Sequence, residues 1–160
     1  MYLCAILILG DCMQRINRNL KELTSLVLMM NELLEVYTEA SGNESLRGLM
    51  NEAKIIITDK YNELKKEILN SKIYLDIELK KSQEFKLIIE KMNIKQKDDF
   101  SFCMEMMYFL KTEEFKLFEI LYNSQESFSE NIKQVLKKII REISYIVLKF
   151  KDYTLNLFNN

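Results

Sequence analysis

No proline, histidine or tryptophan occurs in these 160 residues, and glycine appears three times. Proline and glycine are the usual breakers of helices and builders of tight turns. Their scarcity predicts long rods joined by short polar connections. The missing histidine removes the commonest general base, proton shuttle and metal ligand together. The cysteines Cys4, Cys12 and Cys103 are odd in number and form no CxxC pair, which argues against a disulfide framework and a zinc site. Charge of one sign is also lacking. Basic and acidic side chains number 23 and 24 and are mixed along the chain, so nothing marks a nucleic-acid groove. No apolar run approaches the ~20 residues that cross a bilayer.

Leucine, isoleucine and lysine at helical spacing dominate what remains. Ile16, Leu20, Leu23, Val27, Met30, Leu34 and Tyr37 form one seam, and Leu26, Met29, Leu33 and Val36 flank it. An arc this wide suits a bundle helix with neighbours on two sides. Gly42 is expected to end the helix in a left-handed conformation, and Asn43 to cap the next. The second rod carries Leu46, Met50, Ala53, Ile57, Tyr61, Leu64 and Ile68 up to a break at Asn70-Ser71. Beyond it, Ile73, Ile77, Phe85, Ile88 and Met92 are read as a further helical face. Within that stretch Ile73 to Leu79 alternates apolar and polar with period two, as a half-buried strand would. Helix is preferred because a lone strand has no partner and the neighbouring residues are good helix formers.

Asp98 or Asp99 is expected to cap the next helix, from Phe100 to about Tyr122. It is the most apolar part of the chain. Its Met and aromatic cluster from Phe100 to Leu110 is read as a central core helix, with an exposed partner-binding patch as the other reading. Thr112-Glu113-Glu114 is a possible bend. Ser127 and Glu130 match a capping box for a final helix bearing Phe128, Ile132, Val135, Ile139, Ile143, Ile146, Phe150, Tyr153 and Leu157. The expected fold is all-α, an antiparallel bundle of four to five long amphipathic helices. Residues 1–12 form an apolar segment, and residues 13–160 form a single domain large enough to need no metal or disulfide.

Chemistry-bearing constellations are absent from the sequence. No histidine activates a serine or cysteine, and Gly10, Gly42 and Gly48 are too scattered to cradle phosphate. Asp98-Asp99, Glu113-Glu114 and the Glu32, Glu35, Glu39 run are read as caps and solvated faces. Cys103 is read as a buried small hydrophobe. Asn43-Glu44-Ser45 matches a glycosylation acceptor, although Asn43 already has a capping role. We expect no enzyme, catalytic residue, cofactor or metal; the partner is expected to be another protein, and the sequence leaves the binding face unassigned.

The N-terminus carries the sharpest functional implication. Tyr2 to Leu9 is a short apolar run followed by Gly10-Asp11-Cys12, and it resembles the tail of a bacterial lipoprotein signal, with a leucine three residues before the cysteine. Asp11 departs from the small residue expected there. Either Cys12 is a lipid-attachment site or the segment is the first strip of core. From Cys12 to Leu23, then at Val27 and Leu34 to Tyr37, the chain resembles helical surface lipoproteins of spirochaetes that acquire host complement regulators. The likeness covers about thirty residues. It implies an all-helical, non-enzymatic, lipid-anchored protein that recruits a host serum protein, and it carries no ligand-contact residue. The alternative is an intracellular interaction protein that captures a partner helix in a groove.

Overall fold

The computed structural model describes residues 2–94 and 97–158, with side chains from Met13 onward. Five helices follow in order: α1 Tyr2–Ala40, α2 Glu44–Asn70, α3 Lys81–Asn93, α4 Asp99–Asn123 and α5 Glu130–Asn156. No strand occurs among the described residues. The fold is an all-α bundle. α1 runs unbroken from the apolar segment into the first seam; whether that segment's side chains, Cys12 included, are buried lies outside the described residues.

Four helices form a ring in which α1 packs on α2, α2 on α5, α5 on α4 and α4 back on α1. Polar contacts fix their directions. At one end Asn43 donates to Asp99 Oδ2 at 2.7 Å and Tyr153 donates to the same oxygen at 3.4 Å, joining the start of α2, the start of α4 and the end of α5. At the other end Asn19 donates to Ser124 at 2.8 Å and Asn131 to Glu67 at 3.0 Å. Every neighbouring pair in the ring is therefore antiparallel. The end of α2 and the start of α4 lie at opposite ends, so residues 71–94 travel the length of the bundle. They run alongside α1: Lys80 pairs with Glu22, Gln83 donates to the Ser25 carbonyl, and Tyr37 reaches Glu90.

The seams read from the sequence form the core. Leu23, Val27, Met30 and Leu34 are buried in one cluster with Ile139, Ile143, Ile146 and Phe150. Leu46, Met50, Ala53, Ile57, Leu64 and Ile68 join them from α2. Capping chemistry sets most boundaries: the Asn43 side chain accepts from the amides of Ser45 and Leu46, and that of Asp98 accepts from Ser101. Asn43 thus uses its oxygen as a cap and its nitrogen on Asp99.

Five local expectations are corrected. Residues 73–80 are extended rather than helical. Ile73, Leu75 and Leu79 pack against the core while Tyr74, Asp76 and Glu78 face solvent. On a helix, residues two apart diverge by about 200° and could not share a buried face, whereas an extended chain turns all of them inward. The strap lies on the surface, where water satisfies its backbone without a partner strand. Phe85, Ile88 and Met92 of α3 are exposed, and only Leu87 of that helix is buried. The cap of α5 is Ser129, not Ser127: its hydroxyl accepts from Ile132 N, while Ser127 sits in the preceding turn. Gly42 does not adopt positive φ; the sole left-handed residue among those described is Lys72, with φ 58°. It completes a Schellman closure of α2, in which Lys72 N donates to Leu69 O and Ile73 N to Ile68 O. Finally, α4 runs through Thr112-Glu113-Glu114 without a break, because both glutamates face inward and keep the helical register.

Candidate functional site

The most polar interior site joins α1, α3 and α4 at the end where α4 begins. Tyr37 is brought there by the first seam, and its ring meets Phe102 edge-on at 5.1 Å. Its hydroxyl lies 2.7 Å from Glu105 Oε2 and 2.9 Å from Glu90 Oε2, so one proton is shared between two carboxylates. Lys97 bonds both carboxylates, at 2.8 Å to Glu90 and in close contact with Glu105. Burial pushes the Tyr37 phenol well above its ordinary pKa, and the two carboxylates push the same way. Burial opposes the Glu90 carboxylate, but hydrogen bonds from Lys97 and Tyr37 outweigh it and hold the group below its ordinary value. Burial likewise opposes the Lys97 charge, and Glu105 and Glu90 outweigh it, so the ammonium titrates above its usual range. Each group is committed to its neighbours. The arrangement is a clamp that ties the α3–α4 connection to α1.

Farther along, α4 holds a pair of buried acids. Glu114 pairs with Lys111 at 2.7 Å and accepts from the Ser144 hydroxyl on α5; Glu113 pairs with Lys116 at 2.7 Å. Both carboxylates are buried, which corrects their reading as a solvated face. Glu113 Oε2 has no hydrogen-bond partner within the chain. Nearby, the Lys86 ammonium sits 4.4 Å from the Phe109 ring centre, and burial lowers its pKa against the pull of Glu113. Cys103 is fully buried, and burial raises its thiol to about 11, so it is not a ready nucleophile. Among the described residues no cluster of three or more acids, cysteines or histidines could hold a metal. No described helix is long and apolar enough to cross a membrane.

The outer face of α4 is the feature that sequence reasoning misplaced. Phe102, Cys103, Met106, Phe109 and Leu110 are buried as expected, but Phe100, Met104, Tyr108, Phe115, Phe118 and Tyr122 face solvent. Tyr108, Phe115 and Tyr122 are 77%, 71% and 75% exposed. These residues follow one stripe because they recur at three, four and seven along a single helix. Phe100 extends it towards α5, stacking edge-on with Phe158 at 5.7 Å. On α5, Leu148 follows Ser144, the partner of Glu114, by one turn, and it is exposed together with Leu155. A rigid surface of aromatics and methionine, interrupted by the single charge of Lys111, is suited to docking another apolar surface.

The cavities are less informative. One of about 210 Å³ opens between Met13, Ile16, Ile73 and Phe128 at the far end of the bundle, and another of about 160 Å³ lies under Leu79 and Lys80 beside Ser25. The first is lined by apolar and hydroxyl side chains, and the second mixes Lys21 and Lys80 with Asp76 and Glu78, so neither concentrates charge of one sign. No family model, curated protein or solved structure matches this chain.

Proposed function

We propose that this chain is a non-enzymatic binding protein whose helical bundle presents the outer face of α4 to another protein. The exposed stripe from Met104 to Tyr122 carries this reading. Monomeric proteins rarely leave large contiguous apolar patches open to water, and those that persist commonly mark interaction sites. The groove that helix capture would use, between α1 and α4, is already spanned by α3, whose Glu90 bonds Tyr37 of α1 and whose Lys86 lies over Phe109 of α4, which favours an outer binding face instead.

The finer reading is a surface lipoprotein anchored through Cys12 that recruits a host serum protein, complement regulators first among the partners the N-terminal likeness implies. Its support is Leu9 three residues before Cys12 and the likeness that begins there. A lipid at that point would tether the bundle while leaving its helices in water. Two experiments test these statements separately. Immobilised wild type and a Tyr108→Glu/Phe115→Glu variant are compared for capture from serum and from cytosol; capture that survives the substitution removes α4 as the binding face. Cells expressing the gene are fed labelled fatty acid; label in wild type and none in Cys12→Ser supports the anchor, and an unlabelled wild type ends it.

A further inference from the structure

We infer that the outer face of α4 pairs with the same face of a second copy of this chain, antiparallel, about a two-fold axis beside residue 113. This rests on the reading of α4 as a binding face and names the occupant. Met104, Tyr108, Lys111, Phe115, Phe118 and Tyr122 are spaced 4, 3, 4, 3 and 4, the repeat of a two-helix seam, and it points away from the bundle. The spacing reads the same in both directions. Antiparallel pairing therefore sets Met104 against the partner's Tyr122, Tyr108 against the partner's Phe118, and Lys111 against the partner's Phe115. Each contact is made twice, as a closed two-fold interface requires.

Charge and area agree with this arrangement. Lys111 is the seam's only charged residue and is already neutralised within its own chain by Glu114 at 2.7 Å. In the antiparallel register its ammonium meets an aromatic face, a favourable pairing. A parallel register would instead stack two lysines. The five apolar seam residues expose roughly 600 Å² per copy, and Leu148 and Leu155 bring this to roughly 800 Å², about what each partner of a stable interface buries. That exceeds the largest patch of a typical monomer.

Sedimentation equilibrium of the full chain tests the pairing, with helical melting as the control for folding. Wild type should associate reversibly to twice its 19.1 kDa mass. Phe115→Lys places two lysines together twice per dimer and should weaken association at least ~100-fold. Phe115→Glu faces the partner's Lys111 and should retain at least ~10-fold more association than Phe115→Lys. Lys111→Glu/Phe115→Lys should recover at least ~10-fold over Phe115→Lys alone. A wild type that stays monomeric up to about 200 µM overturns the inference, as do Phe115→Lys and Phe115→Glu variants that behave alike. If wild type is monomeric yet the α4 variants lose capture of another protein, the binding face stands and self-pairing alone has failed. If association follows the expected order while capture of a second protein is unaffected, self-pairing stands and the wider reading of the face fails.

Discussion

Replacing Lys97 with methionine should destabilise the fold by about 2–3 kcal/mol at neutral pH, and most of that deficit should vanish in mild acid. Methionine keeps most of the apolar stem of the side chain and removes the charge. Lys97 is 14% exposed and Glu90 21%, so the pair lies between a surface ion pair worth under ~1 kcal/mol and a buried one whose breaking costs ~3–5 kcal/mol. Glu90 and Glu105 both reach the Tyr37 hydroxyl within 3 Å, which places their oxygens less than about 6 Å apart. Two carboxylates at that separation repel by about 3 kcal/mol at an effective dielectric of 20. Exposure of Glu105 screens part of this, while loss of two charge-assisted hydrogen bonds adds to it.

The pH dependence gives the discriminating sign. In wild type the Glu90 carboxyl titrates below its ordinary value. Its stabilisation is therefore complete above the unfolded carboxyl pKa of ~4.3 and is lost as pH falls through the lower folded value. Without Lys97, burial and the neighbouring carboxylate push the Glu90 carboxyl upward instead. A folded pKa above the unfolded one destabilises at neutral pH, and protonation relieves this as pH drops. Urea unfolding at pH 7 and pH 5 reads the difference cleanly, because the chain has no histidine to titrate between them. The deficit should shrink below about 1 kcal/mol at pH 5. An equal deficit at both pH values, or one under about 0.5 kcal/mol at pH 7, would refute the clamp.

Ile143 is fully buried, and Ile143→Ala should cost about 2–5 kcal/mol by urea unfolding; a variant that unfolds like the parent would remove it from the core. Gly48 lies inside α2 with nothing within 4 Å of the position an alanine methyl would take, so Gly48→Ala should raise stability by about 1 kcal/mol, read as a higher urea midpoint at unchanged slope. Lys72→Gly should raise it by about 0.5–1 kcal/mol, since the left-handed backbone there strains any side chain; a loss on melting would mean that the strap depends on that lysine. Asp98→Ala should cost about 1 kcal/mol by removing the acceptor that caps α4 at 2.7 Å.

The core was legible because its periodicity is redundant. Each seam in α1, α2 and α5 repeats over many turns, so a single ambiguous residue could not change the reading. Short elements lacked that redundancy. Ile73 to Leu79 offers one period-two signal set against strong helix formers on its flank, yet four alternating apolar residues can share a face only when extended. The cap of α5 was misplaced by two residues because Ser127 and Ser129 carry the same chemistry, and packing of Phe128 decides between them. The Tyr37 clamp could not be found from sequence at all. Tyr37 lies 53 to 68 residues along the chain from its partners, and neither Glu90 nor Glu105 belongs to a recognisable motif.

α4 shows why exposure is harder to read than periodicity. Apolar residues occur around most of this helix, so the pattern specifies a helix without specifying which side meets the core. The fold resolves this against simple hydrophobicity: Glu113 and Glu114 turn inward with lysine and serine partners, while Tyr108, Phe115 and Tyr122 turn to water. Burying an acid pair requires compensating partners, and exposing three aromatics forgoes several kcal/mol of available burial. The inner face is already filled by Phe102, Met106, Phe109, Leu110 and Leu117, so the core is complete without the outer aromatics. The aromatic stripe is therefore a surface that stability does not demand, and its cost in water is offset when a second apolar face covers it.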